Sequence, residues 1–453
     1  MSAGRRLKVS WPHLAANTAG QARSFSAGGA TIRWPFRVDS TPHHPFCFVI
    51  VHSTTLDYGA DEPLVLEALP GSPLTAFEPP AGADGEEARR LVTEAITAPQ
   101  HGPPLAAHVV PGDRVVIAVA GEVPQAVAVV AAVQDCLLSA GIDPADVTVL
   151  EGPRLGFEAG FEAEDHLPVP GGLAFDPEIE AATAYLTADE AGRPMHLARP
   201  LVDADVVVAV GEWGWAPALG GRSIEGELWP TFARGSCRRD LLKTLTRRGR
   251  GALPDWKSGM HEIAWQLGVC ANLKLVRGAA GTIASACFGL PDEAGRQARS
   301  AAAAWCPAME PTASVAVASL SNPAGGFGLI TAAVAAAARA TRPGGTICVA
   351  CAVNVPPGLI FQRWRQGAPL EPLLHEAIAT GDLALIADAL HTRLFARALD
   401  DRRLVLLSGL AEDVVEELEF GYAAGPEVVE RLAHRADGVV VLPEADRCFP
   451  RPE

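Results

Sequence analysis

The sequence has no excess of positive charge. Its 37 Lys and Arg residues stand against 53 Asp and Glu residues, a formal net charge of −16, so we predict neither nucleic acid nor an anionic membrane as a partner. It also lacks any run of about 18 uninterrupted apolar residues, which excludes an obvious membrane-spanning helix. The N-terminal residues lack the apolar core of an export signal, and we therefore expect a cytoplasmic protein.

Familiar catalytic and redox motifs are missing as well. No Walker loop, H-E-x-x-H zinc motif or G-x-S-x-G nucleophile motif occurs in the chain. The nine cysteines are scattered and odd in number, as is typical of reduced thiols. Cys348 and Cys351 form a C-x-x-C inside the strand-like run TICVACAV. Alternation along a strand predicts that they lie on opposite faces of a sheet, which argues against a metal or redox pair.

What the chain does contain is an alternation of strand-length and helix-length segments. Apolar runs such as RVVIAVA, VTVLEG and ADVVVAVG are followed later by SVAVASL, GGTICVACAV and RLVLLSG. This pattern predicts two α/β domains with mainly parallel sheets and a cleft between them. We expect an irregular leader over residues 1–44, a first domain over 45–306 and a second over 307–436. The terminal strand at 437–445 is a candidate to return to the first domain.

One stretch, VVVAVGEWGWAPALGGRSIEGELWPTFA at residues 206–233, joins a buried strand to a loop of unusual composition. Loops at the carboxyl ends of parallel strands are where α/β proteins usually keep their sites. Trp213 and Trp215 are expected to wall a pocket there. Glu212, at the end of the strand, is a candidate to move a proton.

Arg222 has the most suggestive local context in this loop, because it follows Gly220 and Gly221. A planar, permanently charged fork after two glycines suits the capture of phosphate or carboxylate. The loop therefore predicts a small anionic ligand. The alternative is a structural arginine that pairs with Glu212 or Glu225.

A histidine and an acid stand together in a polar zone near 256–304 that we expect to be helical. The run MHEIAWQL predicts a helix opening at His261 and Glu262, where Glu262 would suit the helix dipole. Both residues are candidate catalytic groups, although such a pair is also common at ordinary helix starts. Glu225 and Glu227, which flank Gly226, are both expected to face solvent.

The segment SNPAGGFG follows a predicted strand and opens a predicted helix. Gly325 and Gly326 could let backbone N–H groups face an anionic substrate. The segment is not a G-x-G-x-x-G motif, and no acidic residue follows at the distance expected for a ribose contact. A tight turn between strand and helix is the alternative.

The order of these features resembles the lactate racemase (LarA-like) family, whose members carry a nickel-pincer nucleotide. The resemblance covers most of residues 45–445. ADVVVAVGE, GGRS and LWPTFA resemble the family's strand, G-G-R-K loop and Leu-Pro segment, and GMHEIAWQLG resembles its helix with a His and an acid. SVAVASLSNPAGGFG, GGTICVA and LFARALDDRRLVLLSG resemble segments of its second domain. The resemblance implies a racemase or epimerase of small 2-hydroxy acids.

The chain departs from the family where the cofactor would be held. Gly220, Gly221 and Arg222 keep the cofactor loop that the resemblance implies. The implied cofactor-anchoring Lys falls on Ser223, which has no amine, and the implied nickel-ligand His falls on Trp213. The other implied site positions that have changed are Pro153, Ile330, Ala333 and Leu390. No metal ligand is predicted, and the cofactor stays unassigned.

Two functions follow from this sequence. In the first, a divergent racemase-like enzyme holds an anion with Arg222, moves a proton with Glu212 or His261, and walls its pocket with Trp213 and Trp215. In the second, a non-catalytic relative keeps the cleft as a binding or structural protein without the cofactor. A third reading, a nicotinamide-dependent oxidoreductase, rests only on the GGFG segment.

Overall fold

The computed structural model describes residues 48–121, 123–153, 169–188, 192–221 and 227–452. The leader expected over residues 1–44 lies outside the described residues. The same holds for Arg222, Ser223 and Glu225, so what we expect of these three side chains remains a prediction from the sequence.

The strands are short and mostly apolar, as expected for segments that are covered on both faces. In chain order they are Phe48–Val51 (β1), Ser53–Leu56 (β2), Leu64–Glu67 (β3), Leu74–Phe77 (β4), Val115–Val119 (β5), Val147–Glu151 (β6), Leu173–Ala174 (β7), Thr183–Ala188 (β8), Pro194–Ala198 (β9), Val206–Glu212 (β10), Ala271–Arg277 (β11), Ile283–Gly289 (β12), Ala313–Ser319 (β13), Thr341–Ala350 (β14), Arg403–Leu407 (β15), Gly421–Tyr422 (β16) and Val439–Leu442 (β17).

The helices connect and cover these strands. In chain order they are Gly85–Thr97 (α1), Ala126–Ser139 (α2), Arg199–Asp203 (α3), Gly235–Arg248 (α4), Leu253–Gln266 (α5), Pro291–Ala301 (α6), Phe327–Ala340 (α7), Leu359–Arg365 (α8), Leu370–Thr380 (α9), Leu383–Leu399 (α10), Glu412–Glu417 (α11) and Pro426–His434 (α12). Among the described residues, no helix combines the length and the hydrophobicity needed to cross a membrane.

The first large sheet has the order β12-β11-β10-β5-β6-β7 within the described residues. Its strands run parallel except for β12, which pairs antiparallel with β11. All five residues of β5 are buried, which is why this strand is a continuous apolar run rather than an alternating one. The carboxyl ends of β10 and β11 lie side by side, so residues that follow them are brought to one edge of the sheet.

The second large sheet has the order β1-β4-β17-β13-β14-β15-β16 within the described residues. The terminal strand β17 lies between β4 and β13 and runs parallel to both. The early strands β1 and β4 thus belong to the same sheet as the last one. Together, the two sheets and their helices confirm the predicted α/β class with mainly parallel sheets.

Alternation along β14 separates the two cysteines of the C-x-x-C as predicted. Cys348 packs in the core on one face of the second sheet, and Cys351 packs in the core on the other face. Burial raises the pKa of the Cys348 thiol to about 12 and that of Cys351 to about 11, so both are neutral thiols that fill space. The prediction that they form no redox or metal pair rests on this separation.

The prediction of a continuous helical zone near 256–304 is wrong. Strands β11 and β12 lie inside it, between α5 and α6. The strand pattern of β11 was not recognised, because Asn272 and Lys274 interrupt its apolar residues. Both side chains are nevertheless buried. Their partners come from a distant part of the chain.

Candidate functional site

Glu212 ends β10 and is bound there by two arginines. Arg277, the last residue of β11, donates to the Glu212 carboxylate, with Nη2–Oε2 2.7 Å and Nε–Oε2 3.1 Å. Arg447, which follows β17, lies 3.5 Å from Glu212 Oε1 through Nη1. Burial raises the pKa of Glu212, but the two guanidinium groups outweigh this and hold the pKa below its usual range. Glu212 is therefore a charged counter-ion of Arg277 and Arg447.

This ion-pair network continues into the second sheet. Arg447 Nε lies 3.3 Å from the Asp446 carboxylate. Asp446 in turn accepts hydrogen bonds from the backbone N–H of Ser321 at 2.7 Å and from its hydroxyl at 2.5 Å. The Glu212 network (Glu212, Arg277, Arg447, Asp446 and Ser321) thus joins the carboxyl ends of β10 and β11 to the end of β13. Partly buried charges connect the two sheets where the sequence predicts a cleft.

Aromatic rings fill the loop after β10. The Trp213 and Trp215 rings meet edge to face with centroids 5.0 Å apart, and Trp215 stacks on Phe449 at 6.0 Å and 17°. Trp213 is only 3% exposed, and the Trp215 indole donates to the Ala302 carbonyl at 2.7 Å. We call Trp213, Trp215 and Phe449 the aromatic cluster. It is packed core rather than an open pocket wall.

The nickel-pincer nucleotide implied by the resemblance does not fit the described residues of this loop. Trp213 offers only an N–H donor where a nickel-binding imidazole is implied, and no described residue accepts from this buried Nε1. At Gly221, a Cβ would lie 2.2 Å from the Phe449 ring, so that ring fills the space beside the glycines. The described residues include no group of three or more His, Cys, Asp or Glu side chains placed to hold a metal.

A separate cavity of about 230 Å³ lies between α5, α6 and β11. We call it the α5–α6 cavity. Its walls combine cationic, acidic and amide side chains with a few apolar ones. The lining residues are Glu227, Leu228, Trp229, Lys257, Met260, His261, Ala264, Asn272, Lys274, Pro291, Asp292, Gly295, Arg296 and Arg299.

The floor of the α5–α6 cavity is a buried ion pair. Lys274 Nζ lies 2.6 Å from Glu227 Oε1, and Asn272 Nδ2 donates to the same oxygen at 2.9 Å. The Lys274 side chain is 1% exposed and that of Glu227 8%. Gly211 on β10 makes room for this pair, because a Cβ there would lie 2.7 Å from the Glu227 Cβ. The prediction that Glu227 faces solvent is wrong: it neutralises a lysine inside the protein.

Three polar atoms in the cavity wall are buried without a hydrogen-bond partner among the described residues. They are Glu227 Oε2, Asn272 Oδ1 and Trp229 Nε1. A buried polar group without a partner costs about 1–3 kcal/mol, and natural proteins keep few of them. Two acceptors and one donor are thus available on residues that line a single cavity, where a ligand or water would satisfy them.

His261 lines this cavity, but it does not open a helix. Helix α5 begins at Leu253, with Pro254 in its first turn, where a proline needs no N–H partner. His261 therefore lies in the second half of the helix, and Nε2 is 3.4 Å from Asp292 Oδ1 on α6. Its side chain is half-exposed. The neighbouring Glu262 is exposed and accepts from Gln266 at 2.7 Å.

The sequence-predicted residues are divided between two places. His261 lines the α5–α6 cavity, whereas Glu212, Trp213 and Trp215 belong to the Glu212 network and the aromatic cluster. Gly325 and Gly326 precede α7, where Gly326 is the N-cap and a Cβ on Gly325 would lie 2.4 Å from Leu329. Their predicted contact with substrate remains a prediction.

The residues that sequence reasoning missed are Lys274 and Asn272. The signal was present in ANLKLV, where polar residues alternate with leucines at the period of a strand. A lysine on a buried strand face needs a carboxylate partner. The chain offers many acids, so only the fold identifies Glu227 as that partner.

No protein-family model and no curated protein sequence matches the chain. Solved structures do share its fold, and two of them are described here. The lactate racemase apoprotein from Thermoanaerobacterium thermosaccharolyticum superposes with a TM-score of 0.63 at 14% identity, covering 88% of this chain and 100% of that one. A Thermotoga maritima protein, a structural genomics target, gives a TM-score of 0.54 at 12% identity, covering 81% of this chain and 98% of that one. At these identities the similarity shows that this chain has the same fold as the lactate racemase apoprotein, and it shows the fold alone.

Proposed function

We propose that this protein binds a small 2-hydroxy acid in the α5–α6 cavity and exchanges the proton on its α-carbon, as a racemase or epimerase. One observation carries the proposal: the buried Lys274–Glu227 pair and His261 line the same cavity. The fold shared with a lactate racemase apoprotein supports the same class of reaction.

The charges of the cavity favour a carboxylate. Its lining carries four cationic side chains against two acidic ones, namely Lys257, Lys274, Arg296 and Arg299 against Glu227 and Asp292. This local excess stands out in a chain whose net charge is −16. Arg296 is exposed and has no ion-pair partner among the described residues. Its guanidinium group can therefore bind a carboxylate through two parallel hydrogen bonds.

The unpartnered atoms of the cavity favour a hydroxyl beside that carboxylate. A hydroxyl donates one hydrogen bond and accepts others. It can therefore donate to Glu227 Oε2 or Asn272 Oδ1 and accept from Trp229 Nε1, all of which lack partners among the described residues. A volume of about 230 Å³ suits a ligand of only a few carbons.

Inversion at a carbon needs one group that takes the proton and another that returns it. We assign these roles to His261 and Lys274. The imidazole of His261 takes the α-proton, the electron pair left on the carbon delocalises into the carboxylate, and Lys274 returns a proton to the opposite face. Glu227 Oε1 lies 2.6 Å from Lys274 Nζ and pairs with it. Glu212 has no part in this scheme, because Arg277 and Arg447 neutralise it.

A second candidate is a non-catalytic binding protein. The observation that favours it is the aromatic cluster, which fills the loop after β10 with Trp213, Trp215 and Phe449. In that case the α5–α6 cavity binds the hydroxy acid and releases it unchanged.

Proton exchange is tested directly by NMR. D- and L-lactate are incubated with the protein in deuterated water, and loss of the α-proton signal is followed together with chiral chromatography. We expect exchange by the parent protein and a loss of about 100-fold in His261→Asn, a typical contribution of a general base. His375→Asn is the matched control, since His375 is exposed on α9 and hydrogen-bonded to the backbone of Glu371.

Binding is measured separately by calorimetry. Arg296→Gln should weaken lactate binding about tenfold, and Arg403→Gln, the same charge change on an exposed residue outside the cavity, should leave it unchanged. Lys274→Met leaves Glu227 buried without its cation, so Glu227→Gln/Lys274→Met is made beside it to keep a folded protein. Binding without exchange would establish the second candidate. The absence of both would overturn the assignment of the cavity.

A further inference from the structure

Three arginines from distant parts of the chain meet beside the aromatic cluster. The Arg339 guanidinium lies over the Phe449 ring at 4.2 Å from its centroid, and Arg451 lies over Trp215 at 4.4 Å and over Phe449 at 5.8 Å. Arg250 packs on the adjacent turn, with Nη1 2.9 Å from the position of a Cβ on Gly220. We call Arg250, Arg339 and Arg451 the arginine cluster.

None of these three guanidinium groups has a carboxylate partner among the described residues. Arg339 donates to the backbone carbonyl of Pro450, and the contacts of Arg451 are with aromatic rings. Burial lowers the pKa of Arg339, and the positive charges of Arg451 and Arg250 lower it further, so both of these cations lie near enough to Arg339 to repel it. In a chain with 53 acidic residues, such a concentration of uncompensated charge calls for a counter-ion.

The platform beneath the arginine cluster is held firmly. The backbone N–H of Phe449 donates to the Trp305 carbonyl at 2.8 Å, and that of Arg451 donates to the Pro307 carbonyl at 2.9 Å. Met309 donates to the carbonyl of Arg451 at 2.7 Å. These bonds fix the backbone of the segment that carries Phe449 and Arg451.

We propose that the arginine cluster is a binding site for a small, multiply charged oxyanion of the phosphate class. Guanidinium forks match the oxygens of phosphate in geometry as well as charge. Three cations without acidic partners suit two or more negative charges on one ligand. The site shares no residue with the lining of the α5–α6 cavity.

Calorimetry with inorganic phosphate and pyrophosphate at low ionic strength tests the proposal. We expect pyrophosphate to bind more tightly than phosphate, since it offers more charge to the three cations. Arg250→Gln and Arg451→Gln should each weaken pyrophosphate binding at least about tenfold, a typical effect for a charge-assisted contact. Arg403→Gln, an exposed arginine elsewhere, should change it by less than about twofold.

The same titrations separate this site from the α5–α6 cavity. Arg296→Gln, which removes a cavity cation, should leave pyrophosphate binding unchanged. The proposal is overturned if neither anion binds at about millimolar concentration, a weak affinity for three cations. It is also overturned if Arg403→Gln or Arg296→Gln lowers the affinity as much as Arg250→Gln does.

Discussion

At the scale of single residues, two features disfavour a side chain at Gly221: its left-handed backbone and the neighbouring Phe449 ring. It has a φ of +72°, and a Cβ on it would lie 2.2 Å from the Phe449 ring. Gly171 has a similar φ of +77° but nothing within 4 Å. We expect Gly171→Ala to lower the free energy of unfolding by about 1 kcal/mol through backbone strain. Gly221→Ala should lose a further 1–3 kcal/mol, roughly the cost of overpacking.

Urea unfolding of the two glycine variants and the parent protein measures this difference. Because both positions require a left-handed backbone, subtracting one effect from the other isolates the contact with Phe449. Equal losses in the two variants would mean that the Phe449 ring moves aside freely and that the aromatic cluster is loosely packed.

Asp388 provides a residue-level prediction about pH. Burial raises the pKa of its carboxyl to about 6, despite the hydrogen bond it accepts from the backbone N–H of Ile360 at 2.6 Å. A carboxyl whose pKa is higher in the folded than in the unfolded chain, where it is about 3.9, holds its proton better in the folded state. Stability is therefore lost as pH rises from about 4 to 6, by roughly 2–3 kcal/mol at most.

Asp388→Asn removes this titration and keeps an oxygen for the Ile360 N–H. We expect the variant to gain stability relative to the parent protein between about pH 4 and pH 6, with no further change up to pH 8. Thermal unfolding across this range measures the difference. A constant difference between the two proteins at every pH would contradict a raised pKa at Asp388.

At the scale of elements, the Glu212 network joins β10 and β11 to the segment after β17. Glu212→Gln should lower the free energy of unfolding by about 3–5 kcal/mol at pH 7, because Arg277 and Arg447 then lose their shared counter-ion. The pKa of Glu212 is depressed, so its contribution is present above the unfolded value of about 4.3 and fades as pH falls through the folded value.

Denaturant unfolding of parent and variant at pH 7 and pH 3 checks the loss and its sign. Arg447→Gln is a milder variant for comparison. It keeps the 2.7 Å Arg277–Glu212 pair and should lower the free energy of unfolding by less than Glu212→Gln does. A Glu212→Gln variant that unfolds like the parent at pH 7 would show that the network does not hold the two sheets together.

Strands dominated by apolar residues could be predicted from the sequence, whereas β11, with its buried Asn272 and Lys274, could not. The strands β5, β13 and β14 were evident, and the opposite faces of Cys348 and Cys351 followed from strand alternation alone. By contrast, Lys274 made β11 appear polar. Its partner Glu227 lies 47 positions earlier, so no local pattern marked Lys274 as a buried residue. The start of α5 was predicted at His261, whereas the helix begins at Leu253.

At the scale of the whole molecule, the sequence offered the terminal strand at 437–445 only as a candidate to return to the first domain and did not identify its neighbours. The strand β4 lies beside β17 although more than 350 residues separate them, and no local pattern encodes such a neighbour. The order of motifs along the sequence did predict that this chain has the fold of the lactate racemase apoprotein. The chemistry was harder, because the predicted loop is filled by Trp213 and Phe449, while the α5–α6 cavity is lined by residues from four separate segments.

The whole protein should remain free of a covalent nickel cofactor. Ser223 has no amine for the bond that the family resemblance implies, and the Phe449 ring lies at Gly221 where space would be needed. We expect intact-protein mass spectrometry, after co-production with a pincer-cofactor biosynthesis system, to give the unmodified mass without stoichiometric nickel. Ser223→Lys should also stay unmodified, since Trp213 and Phe449 still occupy the loop. A cofactor-sized mass increase with equimolar nickel on the parent protein would show that another residue anchors the group and that the aromatic cluster opens to admit it.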